Sequence, residues 1–168
     1  ALLLERADAL EEHSEAISRS LALETGKAIS TECRGEVALM LSILRYFAGL
    51  GHEIKGRSIQ AGYTLLGFTT HHPWGVIAGI VPWNVPLMFM AYKIAAPLMA
   101  GNTVVIKMPE AASATLCFCF EVIRGILPEG SAAEGGAAQP CHVWLVVHAA
   151  AAAHARAALA EAAAASGG

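Results

Sequence analysis

The spacing of apolar residues changes along the chain, and each spacing predicts an element. Over residues 1–24, Leu3, Ala7, Leu10, Ile17 and Leu21 recur at three- and four-residue steps, and only Ser14 breaks the series. That period predicts one amphipathic helix. Gly26 is placed to stop it. Ser30 and Thr31 favour the N-cap, so a second helix is expected to start there. Glu32 and Glu36 would then sit at the positive end of its dipole. Val37, Leu41, Leu44 and Ala48 mark its apolar face, and Gly49 and Gly51 end it. Lys55 to Gly62 reads as a loop. Tyr63 to Thr70 is β-prone, a strand or one arm of a hairpin.

From Gly75 the pattern shortens. Val76 to Val81 is a brief apolar, β-branched run, stopped by Pro82-Trp83-Asn84-Val85-Pro86. An apolar helical stretch follows and ends at Gly101-Asn102, and Thr103 to Lys107 is a second β-branched run. Two short apolar strands joined by a helix predict a βαβ unit with parallel strands and a right-handed crossover. Ser113 is a candidate N-cap for a helix over Thr115 to Leu127, with Leu116, Phe120, Ile123 and Leu127 on one face and Pro128 and Gly130 as its stop. Strand, helix, strand, helix fits half of a doubly wound fold. Two strands are too few to stand alone, and His142 to Val147 reads as one more.

From Glu129 the composition shifts: 17 of the last 40 residues are Ala. Ala149 to Ala165 is helix-prone but lacks an amphipathic pattern, so it builds a poor core. This change is expected of a divergent tail or of out-of-frame translation of a GC-rich gene. The first residues, Ala-Leu-Leu-Leu without Met, are those expected of a chain cut from a longer one.

Composition narrows the function classes. With 55% hydrophobic and 15% charged residues, the chain can build a core. A net charge of −3, with no basic run, argues against a nucleic-acid partner. Mean hydropathy of +0.51 raises the question of a membrane span. Trp74 to Tyr92 carries no formal charge and is long enough, but Pro82, Asn84 and Pro86 interrupt its centre, so no membrane partner is expected. No signal-peptide pattern is apparent. The four cysteines, Cys33, Cys117, Cys119 and Cys141, fit no zinc spacing. Cys117 and Cys119 read as small core residues, and a reducing, cytoplasmic setting is the default. His71 and His72 are adjacent and would face opposite sides of a strand with no third ligand near, so no metal is expected.

The candidate chemistry follows from the βαβ unit. Ligands of open α/β sheets sit beyond the carboxyl ends of the strands. Asn84 follows the first strand, Lys107 ends the second and Glu110 lies just beyond it. An amide, an ammonium and a carboxylate would meet on one edge; Tyr92 and Lys93, inside the helix, are the exceptions. The alternative is structural: Asn84 caps the helix, and Lys107 and Glu110 form a solvated pair.

Ile80-Val81-Pro82-Trp83-Asn84, then Ala100-Gly101-Asn102-Thr103-Val104-Val105, then Lys107-Met108-Pro109-Glu110, resembles the NAD(P)-dependent aldehyde dehydrogenase superfamily. Leu23-Glu24-Thr25-Gly26-Lys27, Tyr46-Phe47-Ala48-Gly49 and Pro73-Trp74-Gly75-Val76 add to the likeness, which covers residues 1 to about 130. Met108-Pro109 stands where the family more often has Pro first. The resemblance implies an α/β fold with a partial Rossmann-like parallel sheet, flanking helices, an N-terminal helical pair and an Ala-rich C-terminal tail. Residues 1–130 would form a partial cofactor domain and residues 131–168 the tail. It implies oxidation of an aldehyde to a carboxylic acid through a cysteine thiohemiacetal, with Asn84 donating to the oxyanion. Lys107 and Glu110 would bond the adenosine ribose hydroxyls, and the backbone of Ile80, Val81, Pro82 and Trp83 would line the cleft. NAD is expected as cofactor, with NADP also open, and homo-oligomers are expected of the family. The family's Gly-Gln-x-Cys, Glu-Leu-Gly-Gly and Phe-Thr-Gly-Ser patterns do not occur in this chain. Gln139-Pro140-Cys141 and Glu134-Gly135-Gly136 echo the first two at the wrong spacing. A catalytically inactive, truncated or frameshifted nucleotide-binding piece is therefore the competing expectation.

Overall fold

A computed structural model describes residues 2–124 and 143–146. Its centre is a three-stranded parallel sheet of β3 (Val76–Ile80), β4 (Thr103–Lys107) and β5 (Val143–Val146), in that spatial order. The register pairs Val76 with Thr103 and Ile80 with Lys107. β4 in turn pairs Val104 with Val143 and Lys107 with Val146. The β-branched runs thus form the expected parallel ladder, one residue shorter than the run Val76–Val81, and β5 is the additional strand expected over 142–147. The structure of the rest of the Ala-rich segment, and of the expected helix end at Leu127, lies outside the described residues.

Helix α4 (Pro86–Met99) crosses between β3 and β4 and packs on both. It opens with Pro at its first position, where the missing N–H costs no intrahelical bond. Its residues Leu87, Met90, Ala91, Ile94, Ala95 and Leu98 are buried against the sheet and the helices behind it. Gly79 is where α4 comes closest to the sheet. A Cβ there would stand 2.7 Å from Ile106 Cδ1 and 3.1 Å from Lys93 Cβ. Helix α5 (Ser113–Arg124) follows β4 after a 3-10 turn over Glu110–Ala112. Leu116 and Ile123 are buried as the period predicted, and so are Cys117 and Cys119. The other sheet face is open at β3, where Val76, Ala78 and Ile80 are exposed.

The N-terminal helical pair is three helices. α1 (Leu2–Glu12) and α2 (Ser14–Thr25) break at His13, whose backbone (φ −103°, ψ 11°) leaves the helical region. Its ring Nδ1 bonds Ala9 O at 3.0 Å, and the ring lies edge-on to Phe118 of α5 at 6.0 Å. Leu10, Ile17 and Leu21 stay fully buried on both sides of the break, so the expected apolar face is real although the helix is not continuous. α3 (Arg34–Gly49) is preceded by a π-helical turn over Ile29–Cys33. Ser30 and Thr31 do not cap it. Ala28 holds the N-cap position, and the Glu32 carboxylate bonds back to the Ala28 N–H at 3.1 Å. Arg45 of α3 joins Asp8 and Glu11 of α1, and Arg34 joins Glu15 of α2. α3 packs along α4, with Phe47 edge-on to Tyr92 at 6.1 Å.

A hairpin projects from this body. β1 (Ser58–Gln60) and β2 (Leu66–Phe68) are antiparallel, with Ile59 opposite Gly67. The β-prone stretch is therefore one arm, and its partner lies inside Lys55–Gly62, which reads as a loop in the sequence. Three residues are too few to show an alternation.

Candidate functional site

The parallel register decides which polar residues meet. Ile80 pairs with Lys107, and the Val81 N–H continues the ladder by donating to Lys107 O at 3.0 Å. The chain then leaves the sheet through Pro82, Trp83 and Asn84 on one strand and through Met108, Pro109 and Glu110 on the neighbour. Both exits lie at the carboxyl ends of parallel strands, so the loops carrying Asn84, Lys107 and Glu110 share one rim. Val81 is 2% exposed and its side chain belongs to the core, leaving only its backbone at the rim. Ile80 and Trp83, at 69% and 64%, are among the most exposed large apolar side chains. Asn84, Lys107 and Glu110 are exposed as well. Tyr92 and Lys93 sit one to two turns into α4, away from the rim.

The structural alternative for these polar residues is not what is seen. Val85 holds the N-cap position of α4 and no side chain caps there. Pro86 has no N–H to offer, and the Leu87 N–H donates to Glu36 Oε1 at 2.9 Å. The amide of Asn84 is thereby released from the duty its residue type usually performs. Among the described residues no ion pair joins Lys107 to Glu110. An ammonium and a carboxylate on one sheet rim, not paired with each other among the described residues, can respectively donate to and accept from a pair of vicinal hydroxyls. This donor set fits the ribose of a nucleotide.

Two carboxylates cap the helices that follow the rim loops, and sequence reasoning missed both. Glu36 is 7% exposed; besides the Leu87 N–H it receives the ammonium of Lys27. Glu24 accepts from the Ala114 N–H at 2.6 Å and the Thr115 N–H at 2.9 Å, and from the Thr115 hydroxyl at 2.8 Å. Ser113 is the first residue of α5 rather than its cap, and its hydroxyl donates to Glu110 O. Leu23-Glu24-Thr25-Gly26-Lys27 is thus a capping segment. Gly26 supplies the left-handed turn at φ +74° that ends α2, where a Cβ would be strained. That turn sends Glu24 to α5 and Lys27 to Glu36. Only the crowding of polar residues around a helix stop hinted at this.

The cysteines among the described residues are not placed for chemistry. Cys33, Cys117 and Cys119 are free and 0%, 7% and 0% exposed. Burial raises all three thiols, and near Cys117 the carboxylates of Glu24 and Glu121 add to it. A nucleophilic cysteine needs the opposite, an exposed thiolate favoured by its surroundings. Native protein treated with iodoacetamide at neutral pH is expected to alkylate at these three positions about tenfold more slowly than unfolded protein. Peptide mass spectrometry reads this, and prompt native labelling would show the core to be open. The echoes at Glu134 and Cys141 lie outside the described residues. Among the described residues no group of histidines, cysteines and carboxylates is set to hold a metal, and no helix is long and apolar enough to cross a membrane.

Comparison with known proteins places this geometry. The aldehyde dehydrogenase family profile matches residues 1–133. An acetaldehyde dehydrogenase of Pseudomonas aeruginosa is 33% identical over 129 residues, 77% of this chain and 26% of the relative. An aldehyde dehydrogenase of Aspergillus niger is 37% identical over 123 residues, 73% of this chain and 24% of the relative. Among solved structures, PnpE in complex with nicotinamide adenine dinucleotide superposes with a TM-score of 0.73 at 34% identity, over 86% of this chain and 28% of that one. A putative aldehyde dehydrogenase from Burkholderia cenocepacia gives 0.74 at 32% identity, again over 86% and 28%. The chain spans about a quarter of the length of the curated relatives it matches.

Proposed function

This chain belongs to the aldehyde dehydrogenase family, and on that premise we propose that its sheet rim holds the adenosine half of a nicotinamide nucleotide. Lys107 donates to, and Glu110 accepts from, the ribose hydroxyls. The backbone from Ile80 to Trp83 forms the cleft wall. Glu110 favours NAD over NADP, because a carboxylate beside the ribose 2′-position repels a phosphate. The observation that carries this reading is the pairing of Ile80 with Lys107 in parallel, which brings Lys107 and Glu110 to the rim with no ion pair between them among the described residues. The solved relative whose title names nicotinamide adenine dinucleotide supports it.

In the whole protein we assign this piece to oxidation of an aldehyde to a carboxylic acid. NAD supplies the hydride acceptor when bound. Asn84, which does not cap the helix, would donate its amide N–H to the oxygen that becomes negative when a thiolate adds to the aldehyde. A preorganised donor of this kind is worth roughly 3 kcal/mol of barrier. The chain itself has no Gly-Gln-x-Cys or Glu-Leu-Gly-Gly pattern. Its described cysteines are buried thiols, which favours the second reading, a piece that binds nucleotide without turning over aldehyde. We place the partial cofactor domain at residues 1–130 and the Ala-rich segment at 131–168, in line with a family match that ends at 133. The free thiols suit a reducing compartment such as the cytoplasm.

Titrating the 168-residue chain with NAD is expected to quench its tryptophan fluorescence saturably, since Trp83 is exposed at the rim. Lys107→Ala removes a charged hydrogen-bond donor and is expected to raise the Kd by about tenfold or more. With an aldehyde added, no NADH absorbance is expected. Equal affinity in wild type and Lys107→Ala would remove Lys107 from the site. Steady NADH formation would overturn the second reading.

A further inference from the structure

We infer that Glu24 and Glu36 are positioning residues for the nucleotide rim, working as a pair that fixes the two loops carrying Asn84 and Lys107–Glu110. This inference rests on the reading of the rim given above.

Each carboxylate meets the N-terminus of a helix that starts directly after a rim loop. α4 begins two residues after Asn84, and Glu36 takes the Leu87 N–H. α5 begins three residues after Glu110, and Glu24 takes the N–H groups of Ala114 and Thr115. Neither carboxylate belongs to the helix it caps: Glu36 lies 51 residues before Leu87, and Glu24 lies 90 residues before Ala114. The two are linked in turn. Lys27, three residues from Glu24 across the Gly26 turn, forms the ion pair with Glu36. One turn of chain at the end of α2 therefore fixes where both helices start. The fixed helix starts set where the two loops leave the sheet.

The usual device would be a capping side chain within each loop. At Asn84 that device would occupy the amide that the chemistry needs. At Ser113 the hydroxyl turns back to Glu110 O instead, at 3.4 Å. Capping from a distant helix thus leaves the rim's own polar side chains uncommitted. The negative carboxylates also lie at the positive ends of both helix dipoles, which favours these placements.

The test compares Glu24→Gln and Glu36→Gln with a control of similar structural weight, Asn102→Ala. Asn102 is buried and ties the opposite, amino-terminal ends of β3 and β4. All measurements use the full chain well below its unfolding midpoint. Both Gln variants are expected to raise the NAD Kd about tenfold, the equivalent of one charged hydrogen bond, with Asn102→Ala unchanged. Amide exchange is expected to quicken over 84–88 in Glu36→Gln and over 110–116 in Glu24→Gln, each without the other. If all three variants weaken NAD in proportion to their loss of thermal stability, the two glutamates are merely structural and the inference fails. If the wild-type chain does not bind NAD, the nucleotide reading falls. The exchange pattern then decides the positioning role by itself: local quickening supports it, and unchanged or global exchange overturns it.

Discussion

Asn102→Ala is expected to lower the unfolding free energy by about 2–4 kcal/mol. The residue is 5% exposed, and every polar group of its side chain is used. Its Oδ1 accepts from the Trp74 N–H at 2.6 Å and the Gly75 N–H at 3.1 Å, and its Nδ2 donates to Pro97 O at 3.2 Å. One side chain thus joins the entry to β3, the last turn of α4 and the entry to β4. Removing it breaks three hydrogen bonds of about 1 kcal/mol each, although water can reach the freed N–H groups because Trp74 and Gly75 are exposed. Asn102→Asp keeps the acceptor for the Trp74 and Gly75 N–H groups. It loses the donor to Pro97 O and places a carboxylate oxygen there, so it is expected to recover only part of the loss. Urea titrations with unchanged slope measure both. A loss below about 0.5 kcal/mol, the range of an ordinary surface change, would show that the staple is not formed.

Gly79→Val is expected to cost more, about 3 kcal/mol or above, enough to unfold a marginal chain. The glycine is required by space rather than by its dihedral angles. Even a methyl group would come within 2.7 Å of Ile106 Cδ1 and 3.1 Å of Lys93 Cβ. Ile106 is fully buried in the middle strand, so its Cδ1 can yield only by repacking its neighbours. α4 would have to lift from the sheet, carrying with it the rim loop that precedes Pro86. Gly79→Ala, with one carbon, is expected at about 1–3 kcal/mol. Circular dichroism melts rank the three proteins. An alanine variant as stable as wild type would mean that α4 and Ile106 leave room for a methyl group at β3.

The parallel unit was legible in the sequence because its strands are apolar runs of β-branched residues separated by unmistakable breakers. Thr103 to Lys107 and Val76 to Ile80 needed no partner to be identified, and the partner each finds is the other. The rim residues followed from that geometry together with a family resemblance. The failures share one cause. Ser30, Thr31 and Ser113 have the right residue types for caps, yet carboxylates do the capping. At the two helices flanking the rim, those carboxylates come from distant segments. A local rule cannot see a Glu24 that is 90 residues from the amide it serves. From its position Glu36 is expected to serve its own helix dipole, whereas its Oε1 accepts from the Leu87 N–H at the start of α4. His13 splits a helix whose apolar series falters only at the neighbouring Ser14, and one missing apolar position does not by itself mark a helix end. Ser58 to Gln60 forms a strand only because Leu66 to Phe68 lies opposite.

The central claim is that two parallel strands bring Asn84, Lys107 and Glu110 to a shared rim that receives a nucleotide. Backbone amide shifts followed by NMR during titration with NAD test it most directly. The account predicts that perturbed amides cluster over 80–84 and 107–112, at the carboxyl ends of β3 and β4. Perturbations confined to 74–76 and 102–103, at the opposite ends of the same strands, would contradict it, as would a spectrum that NAD leaves unchanged.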